Sequence, residues 1–581
     1  MRRLLLALLL ASAACGDDAT TPGDGGAGDA TVDSAPPPPQ CPDGAPTGAP
    51  ADQTTPGDAS LPSPTLRSLT VEWLIDGDAN LNATVGVRFR TDGGTWRQGL
   101  PLRRIPAETI VTGGTWTWAN RFAGSLFDLE PATTYEVELA LLDPDGGCEV
   151  RSLTATTRTV PAPMAGAPVI ATTPGTFAAN AAAAQPGQIL ELAAGDYPTF
   201  TFTKDGTAAA PIVIRAAAGA TVNITGDVRL DGRAFVIVEG LRIAGKIKFN
   251  DGHDLALVRN QITTTEDGIT TKTRAENVYI ADNTVVGATA WNEAALGVDG
   301  ANIGEGIQVT GPGHVIEHNR VSGFRDCISL TEGTEAIEQH SIDIAHNDLS
   351  ECADDAIEAD FCFHDCRVVG NRVTNSFIGL SSQPGLGGPT YFIRNVQFNV
   401  LLTPFKLQRG SIGDVLLHNT VVKRGDAFGI FTTDVFSRQY ARNNLFLGGP
   451  GGTYGGYDIG EGRVISLSAA GTAVDLDYDG YGGPMFAGRI GAITFGSLDE
   501  LRANTTEQHA VQIDASAFAT PATIPASPFP ALAPPDLRLA AGGAAVDVGL
   551  PLPNINDAHA GSAPDLGAYE LGAELPTYGP R

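Results

Sequence analysis

Charged and aromatic side chains are both scarce in this chain: Asp, Glu, Lys and Arg make up 18% of its 581 residues and aromatics 7%. With 70 glycines beside that shortage, the composition argues against helical bundles and for many short strands joined by tight turns. Basic residues are in deficit, 37 Lys and Arg against 66 Asp and Glu, leaving a formal charge of -29. A field of that sign repels nucleic acid and anionic lipid, which removes both as partners. It also repels a polyanionic sugar unless cations occupy the binding site. Beyond the N-terminal stretch, no apolar run is long enough to span a membrane.

The opening MRRLLLALLLASAAC sets two arginines before a short apolar run and small residues before Cys15, the pattern of a secretory signal over residues 1–14. Ser12-Ala13-Ala14-Cys15 resembles a bacterial lipobox, which implies cleavage before Cys15 and lipidation of its thiol. Residues 15–60 are Pro, Gly, Asp, Thr and Ala with little to bury, and read as a disordered tether. The expected location is the bacterial cell envelope, at the outer membrane or cell surface, with the membrane reached only through the lipid and the chain a monomer. Setting Cys15 aside leaves six of the seven cysteines, an even number in an exported protein. Position suggests the pairs Cys41 with Cys148, Cys327 with Cys352 and Cys362 with Cys366, although other connectivities stay open. CFHDC, with His364 between Cys362 and Cys366, also permits a zinc site.

Over residues 61–162 apolar residues alternate (Leu69, Val71, Trp73; Val85, Val87, Phe89; Tyr135, Val137, Leu139) between turn signals such as GDAN and DPDGG. Period-two apolarity with turns at this spacing predicts an all-β sandwich. The run Leu129-Glu-Pro131-Ala-Thr133-Thr-Tyr135, with Trp73, resembles fibronectin type III domains, in which such a tyrosine bonds back to the chain.

A different period governs residues 165–575. An aliphatic or aromatic residue three before an Asn recurs at Ile280/Asn283, Ile316/Asn319, Ile344/Asn347, Val368/Asn371, Phe392/Asn395, Leu416/Asn419 and Tyr440/Asn443, every 24 residues from Asn347 onward. Strands this short cannot close a globular core, but coils of them can stack about 4.8 Å apart. The recurrent Asn then forms an amide ladder running from coil to coil. The entry FAANAAAAQPGQILELAAGDYPTF and KDGTAAAPIVIRAAAGATVNITG, with the closing PDLGAYELG, resembles the right-handed parallel β-helix proteins of the pectate-lyase-like superfamily. That resemblance implies a solenoid fold with a capping helix and a polysaccharide as substrate or ligand.

Aligning coils on Ile269, Ile307, Ile328, Ile357, Leu380, Leu407 and Ile430 sets Asp267, Glu305, Asp326 and Asp355 two residues earlier, at the turn into each strand. Flanking positions, Gln308, Glu358, Asp360 and Gln383 among them, are expected to face solvent. Asp355, Glu358 and Asp360, with Asp326, gather carboxylates that repel one another unless a hard cation intervenes, and Ca²⁺ takes such oxygens. Segments 287–306, 331–341 and 382–391 are long enough to wall a groove. In a lyase of the resembling family, calcium neutralises a uronate and a basic residue of depressed pKa removes a proton. Lys406 and Arg409 are the candidates, with Lys272 and His364 behind them, and Gln308, Gln383 and Gln408 are candidate sugar contacts. Two rivals share the fold: a polygalacturonase-like hydrolase, suggested by DCISL and DDAIEAD but lacking the GHG and RIK signatures, and a noncatalytic cell-surface glycan-binding or adhesive protein.

Overall fold

A computed structural model describes Cys41, residues 48–431 and residues 433–581. The expected signal peptide, Cys15 and most of the tether lie outside the described residues. Folded chain begins earlier than the expected boundary at residue 61. Thr54–Ser60, inside the supposed tether, pairs antiparallel with Leu69–Gly77. Its Pro56 is tolerated because the strand is the edge of its sheet.

The N-terminal region is two four-stranded antiparallel sheets. Leu69, Val71, Trp73 and Phe122 from one sheet meet Val85, Val87, Phe89, Val137 and Leu139 from the other in one core, all buried. The alternation of the sequence is thus the in-out alternation of two packed sheets. Each fully buried side chain of this size contributes roughly 1.5–3 kcal/mol. The backbone N–H of Glu130 donates to the Tyr135 hydroxyl at 2.9 Å. Cys41 and Cys148 are bonded across 107 residues.

The remainder is a parallel β-helix. A thirteen-stranded parallel sheet forms one side, and a nineteen-stranded sheet of parallel strands wraps the others. The short helix Phe177–Ala183 closes the first coils, with Phe177 packed on Tyr197 and Phe200 at ring separations of 5.4 and 4.8 Å. Inside the coils Ile280, Ile316, Ile344, Val368, Phe392 and Leu416 stack in register. The column continues at Ala441 rather than Tyr440, because this coil holds one extra residue. The ladder shifts with it. Asn260, Asn283, Asn319, Asn347, Asn371, Asn395 and Asn419 each donate a side-chain N–H to the next amide oxygen, and Asn419 donates to Asn444, not Asn443. The run ends on Asp479, which accepts from Asn444 at 2.9 Å. A carboxylate suits that end because it only has to accept.

Three strands of the curved sheet, Asp348–Glu358, Arg372–Ser382 and Val396–Leu407, run unbroken round a corner of the coil. Pairing slips between Cys352 and Asp355, and again between Ser376 and Ile378, mark the bend. The sandwich is joined to the other sheet through buried polar contacts: Arg367 binds Asp343 and donates to Thr70 and Ser125, and Ser125 donates to Asp365 at 2.7 Å. No helix among the described residues is long and apolar enough to cross a membrane.

Candidate carboxylate-rich site

Just past the bend, five coils present one column of positions in register: Gln308, Ser329, Glu358, Ser381 and Lys406. The inward partner of Leu380 is Phe405, not the expected Leu407. Lys406 therefore stands in line with Glu358 instead of beside it. Two coils separate them, about 10 Å of backbone, and the intervening side chain is a serine. The long lysine stem crosses that gap, and its Nζ lies 2.5 Å from Asp355 Oδ2 and 3.3 Å from Glu358 Oε1.

The turn column has a structural duty. Asp326 Oδ1 accepts the Asp355 backbone N–H at 2.7 Å, and Asp267 Oδ1 accepts that of Glu305 at 3.2 Å. Each acid caps the bend of the following coil. Asp360 Oδ1 is bound by the Ser381 hydroxyl at 2.5 Å and the Gln383 N–H at 2.8 Å. The second oxygens differ. Asp355 Oδ1 and Asp360 Oδ2 are buried without a hydrogen-bond partner.

Glu358 and Asp360 were expected to face solvent, and they do not. Asp355 and Asp360 are fully buried, and Glu358 and Lys406 are each 5% exposed. Short neighbours, Ser329 and Ser381, let the long side chains fold down onto the sheet. The surrounding segments close over the edges. Gly297 of the 287–306 insertion donates to the Ala353 carbonyl at 2.8 Å, and Glu332 of the 331–341 segment pairs with Arg409 at 3.2 Å. A hairpin of the sandwich completes the wall, with Trp116 packed on Phe361 at 5.3 Å.

Charge does not balance in this recess. Asp354, Asp355, Glu358 and Asp360 act on Lys406, and Glu305 and Asp326 adjoin them, with Arg325 3.3 Å from Asp326 and 3.9 Å from Asp354 and Lys272 acting on Glu305. Burial, and then mutual repulsion, push the Asp326 carboxyl far above the ordinary range. Burial also lifts Glu358 and Asp360, opposed by Lys406, and raises Asp355 to about 8. Burial works against the Lys406 charge, yet Asp355, Glu358 and Asp360 hold that ammonium well above its usual range. This corrects the expected base of depressed pKa: with these partners Lys406 is a fixed cation. Three overlapping triads, Glu305–Asp326–Glu358, Asp326–Asp354–Asp355 and Glu332–Glu358–Asp360, bring ligand oxygens within 4.8 Å of one another and could hold a metal ion.

The other candidates divide by position. Lys272 donates to Gln308 at one end of the recess. Gln383, Gln408 and Arg409 lie at the other, and the Gln408 amide nitrogen is buried without a partner. His364 is elsewhere. It belongs to the thirteen-stranded sheet, stacks on His340 at 4.8 Å, contacts Asp365 at 3.1 Å, and is driven by burial to a pKa of about 3. Cys362 is bonded to Cys366, as Cys327 is to Cys352, which removes the zinc alternative. Arg325 and Glu332 were missed by sequence reasoning. Arg325 could have been found as the cation adjoining a turn aspartate, whereas the pairing of Glu332 with Arg409 is non-local and left no signal. No family model matches the chain, and no curated protein or solved structure matches it either.

Proposed function

We propose that this protein acts on a uronate-containing polysaccharide as a calcium-assisted lyase, working by β-elimination at the carboxylate-rich recess. The observation that carries the reading is the excess of buried carboxylate over cation, with Asp355 Oδ1 and Asp360 Oδ2 left unpartnered. Buried charge without a counter-ion is strongly unfavourable, and hard oxygen donors match a hard divalent cation. Asp355, Glu358 and Asp360, with Asp326, are the residues that would hold it. Bound there, calcium would neutralise the sugar carboxylate and make the neighbouring C5 proton acidic. With calcium taking over those carboxylates, Lys406 would lose the field that keeps it charged, give its ammonium proton to solvent and, as the free amine, take the C5 proton while the C4–O bond breaks and the leaving oxygen takes a proton from water. Arg409 at the rim binds the anionic chain, Lys272 secures one end of the recess, and Gln308, Gln383 and Gln408 offer hydrogen bonds to sugar hydroxyls.

The right-handed, pectate-lyase-like character of the helix and the fibronectin type III-like character of the sandwich belong to the same proposal, the latter supported by the Tyr135 bond to Glu130. So does a location at the cell envelope through a lipid on Cys15. A second reading, a noncatalytic glycan-binding protein, is favoured by one observation: Lys406 is pinned by two ion pairs. Incubation with alginate, pectate and chondroitin, with calcium or chelator, separates the readings. Calcium-dependent ultraviolet absorbance of an unsaturated product is the expected result. Retention on a glycan column without turnover would establish the binder, and reducing ends without unsaturation would establish a hydrolase.

A further inference from the structure

A second recess lies at the seam between sandwich and solenoid, away from the carboxylates. In each coil the residue just before the ladder Asn adopts a left-handed backbone: Asp282, His318, His346, Gly370, Arg394 and His418 have φ of 58°, 54°, 55°, 62°, 53° and 54°. Their side chains project outward in a second column. Gly370 interrupts it, and a Cβ there would stand 2.8 Å from the His346 ring. The missing side chain makes room for that ring, and beside it lies a cavity of about 360 Å³ that Arg67 and Asp128 of the sandwich also line. That is room for roughly a dozen waters, or for one sugar ring.

The lining is unusual for a chain of charge -29. Two of its acids are already neutralised: Asp343 by Arg367, and Glu317 by Arg581 at 3.3 Å. Arg394 donates only to the carbonyls of Ala568 and Ile555, at 3.2 and 3.3 Å, and Glu570 behind it is held by the N–H groups of Ala560 and Asp565. Among the described residues Arg67 makes no ion pair and no side-chain hydrogen bond, and the one further acid in the cavity lining is Asp128, which is exposed. His318 and His346 stack at 5.1 Å, and the Nδ1 of each is buried without a partner.

We propose that this seam is a binding site for an oxyanion, a carboxylate or sulfate, held by Arg67 and Arg394 and by hydrogen bonds from His318 and His346. Guanidinium donors match the planar carboxylate and the sulfate tetrahedron alike, and the neutral imidazoles, whose Nδ1 atoms are shut off from solvent, can donate from Nε2 by tautomer choice. The oxyanion can be carried by a sugar or be free. This site is separate from the proposed lyase recess and stands whether or not that reading does.

Titration calorimetry on the full chain, in chelator and at constant ionic strength, tests it with sodium glucuronate, sodium sulfate and uncharged glucose. Saturable binding of glucuronate or sulfate at one site, with none of glucose, is expected; which anion binds tells whether a sugar carries it. Arg67→Ala, at an exposed position that leaves the fold intact, should weaken that binding about tenfold or more, as loss of one charge-assisted contact does. His346→Ala should weaken it as well. Unsaturable heats with both anions, or affinity unchanged by Arg67→Ala, would overturn the proposal.

Discussion

Replacing Lys406 with Met isolates the charge at the centre of the recess. Methionine keeps most of the buried stem, so lost packing accounts for less than about 1.5 kcal/mol. What disappears is the ammonium 2.5 Å from Asp355 and 3.3 Å from Glu358. Removing one partner of a buried pair leaves the other uncompensated, typically at about 3 to 5 kcal/mol. Here several carboxylates share the loss. The shift of the urea midpoint, read in chelator at a pH just above 8, should reach that range. At mildly acid pH the loss should shrink, because Asp355, Glu358 and Asp360 take up protons instead of remaining charged. Millimolar calcium should offset much of it by standing in for the lysine. A loss below about 1 kcal/mol at the higher pH, indifferent to calcium, would show that Lys406 is not the counter-ion of this cluster.

The wild-type protein in chelator should lose stability as pH rises from the ordinary carboxylate range to about 8. Asp355 is raised to about 8 from 3.8, so its stabilising proton is lost over that interval; thermal melts across it should show the slope, and calcium should flatten it. Asn371→Ala removes bonds to Ile344 and Asn395, leaves the backbone N–H of Asn347 without an acceptor and leaves the Asn347 side-chain amide only the Ile316 carbonyl. A destabilisation of about 3 kcal/mol or more is expected by denaturant titration. Arg409→Ala breaks only a half-exposed pair with Glu332, so stability should change by less than about 1 kcal/mol while the KM for a uronate polymer rises.

The solenoid was legible because its two strongest signals are local and repetitive. Ile316, Ile344 and Val368 recur at the interval of one coil, and Asn347, Asn371 and Asn395 mark the same turn each time. Where a coil carried one extra residue the pattern slipped, and Tyr440 and Asn443 were chosen over Ala441 and Asn444. The carboxylates were legible as a group, since DDAIEAD lies on one strand and its exit. Their environment was not. Burial of Glu358 and Lys406 depends on serines one coil away and on segments folding over from distant positions, none of which a single strand encodes. Lys406 itself was read one position out of line, because PFKLQ offers both Phe405 and Leu407 as the inward residue. His364 lies only four residues beyond Asp360, yet the chain turns there into the opposite sheet, where Cys362 and Cys366 are bonded.

The central claim is that Lys406 occupies, as counter-ion, a site built of carboxylates that suits a divalent cation. Calcium titration of chelator-treated wild type, Lys406→Met and Glu358→Gln, followed by calorimetry, tests it most directly. The wild type should bind one ion saturably, Glu358→Gln should bind it at least about tenfold more weakly, and Lys406→Met should bind it more tightly because its competitor is gone. Absence of saturable binding in all three proteins would contradict the account.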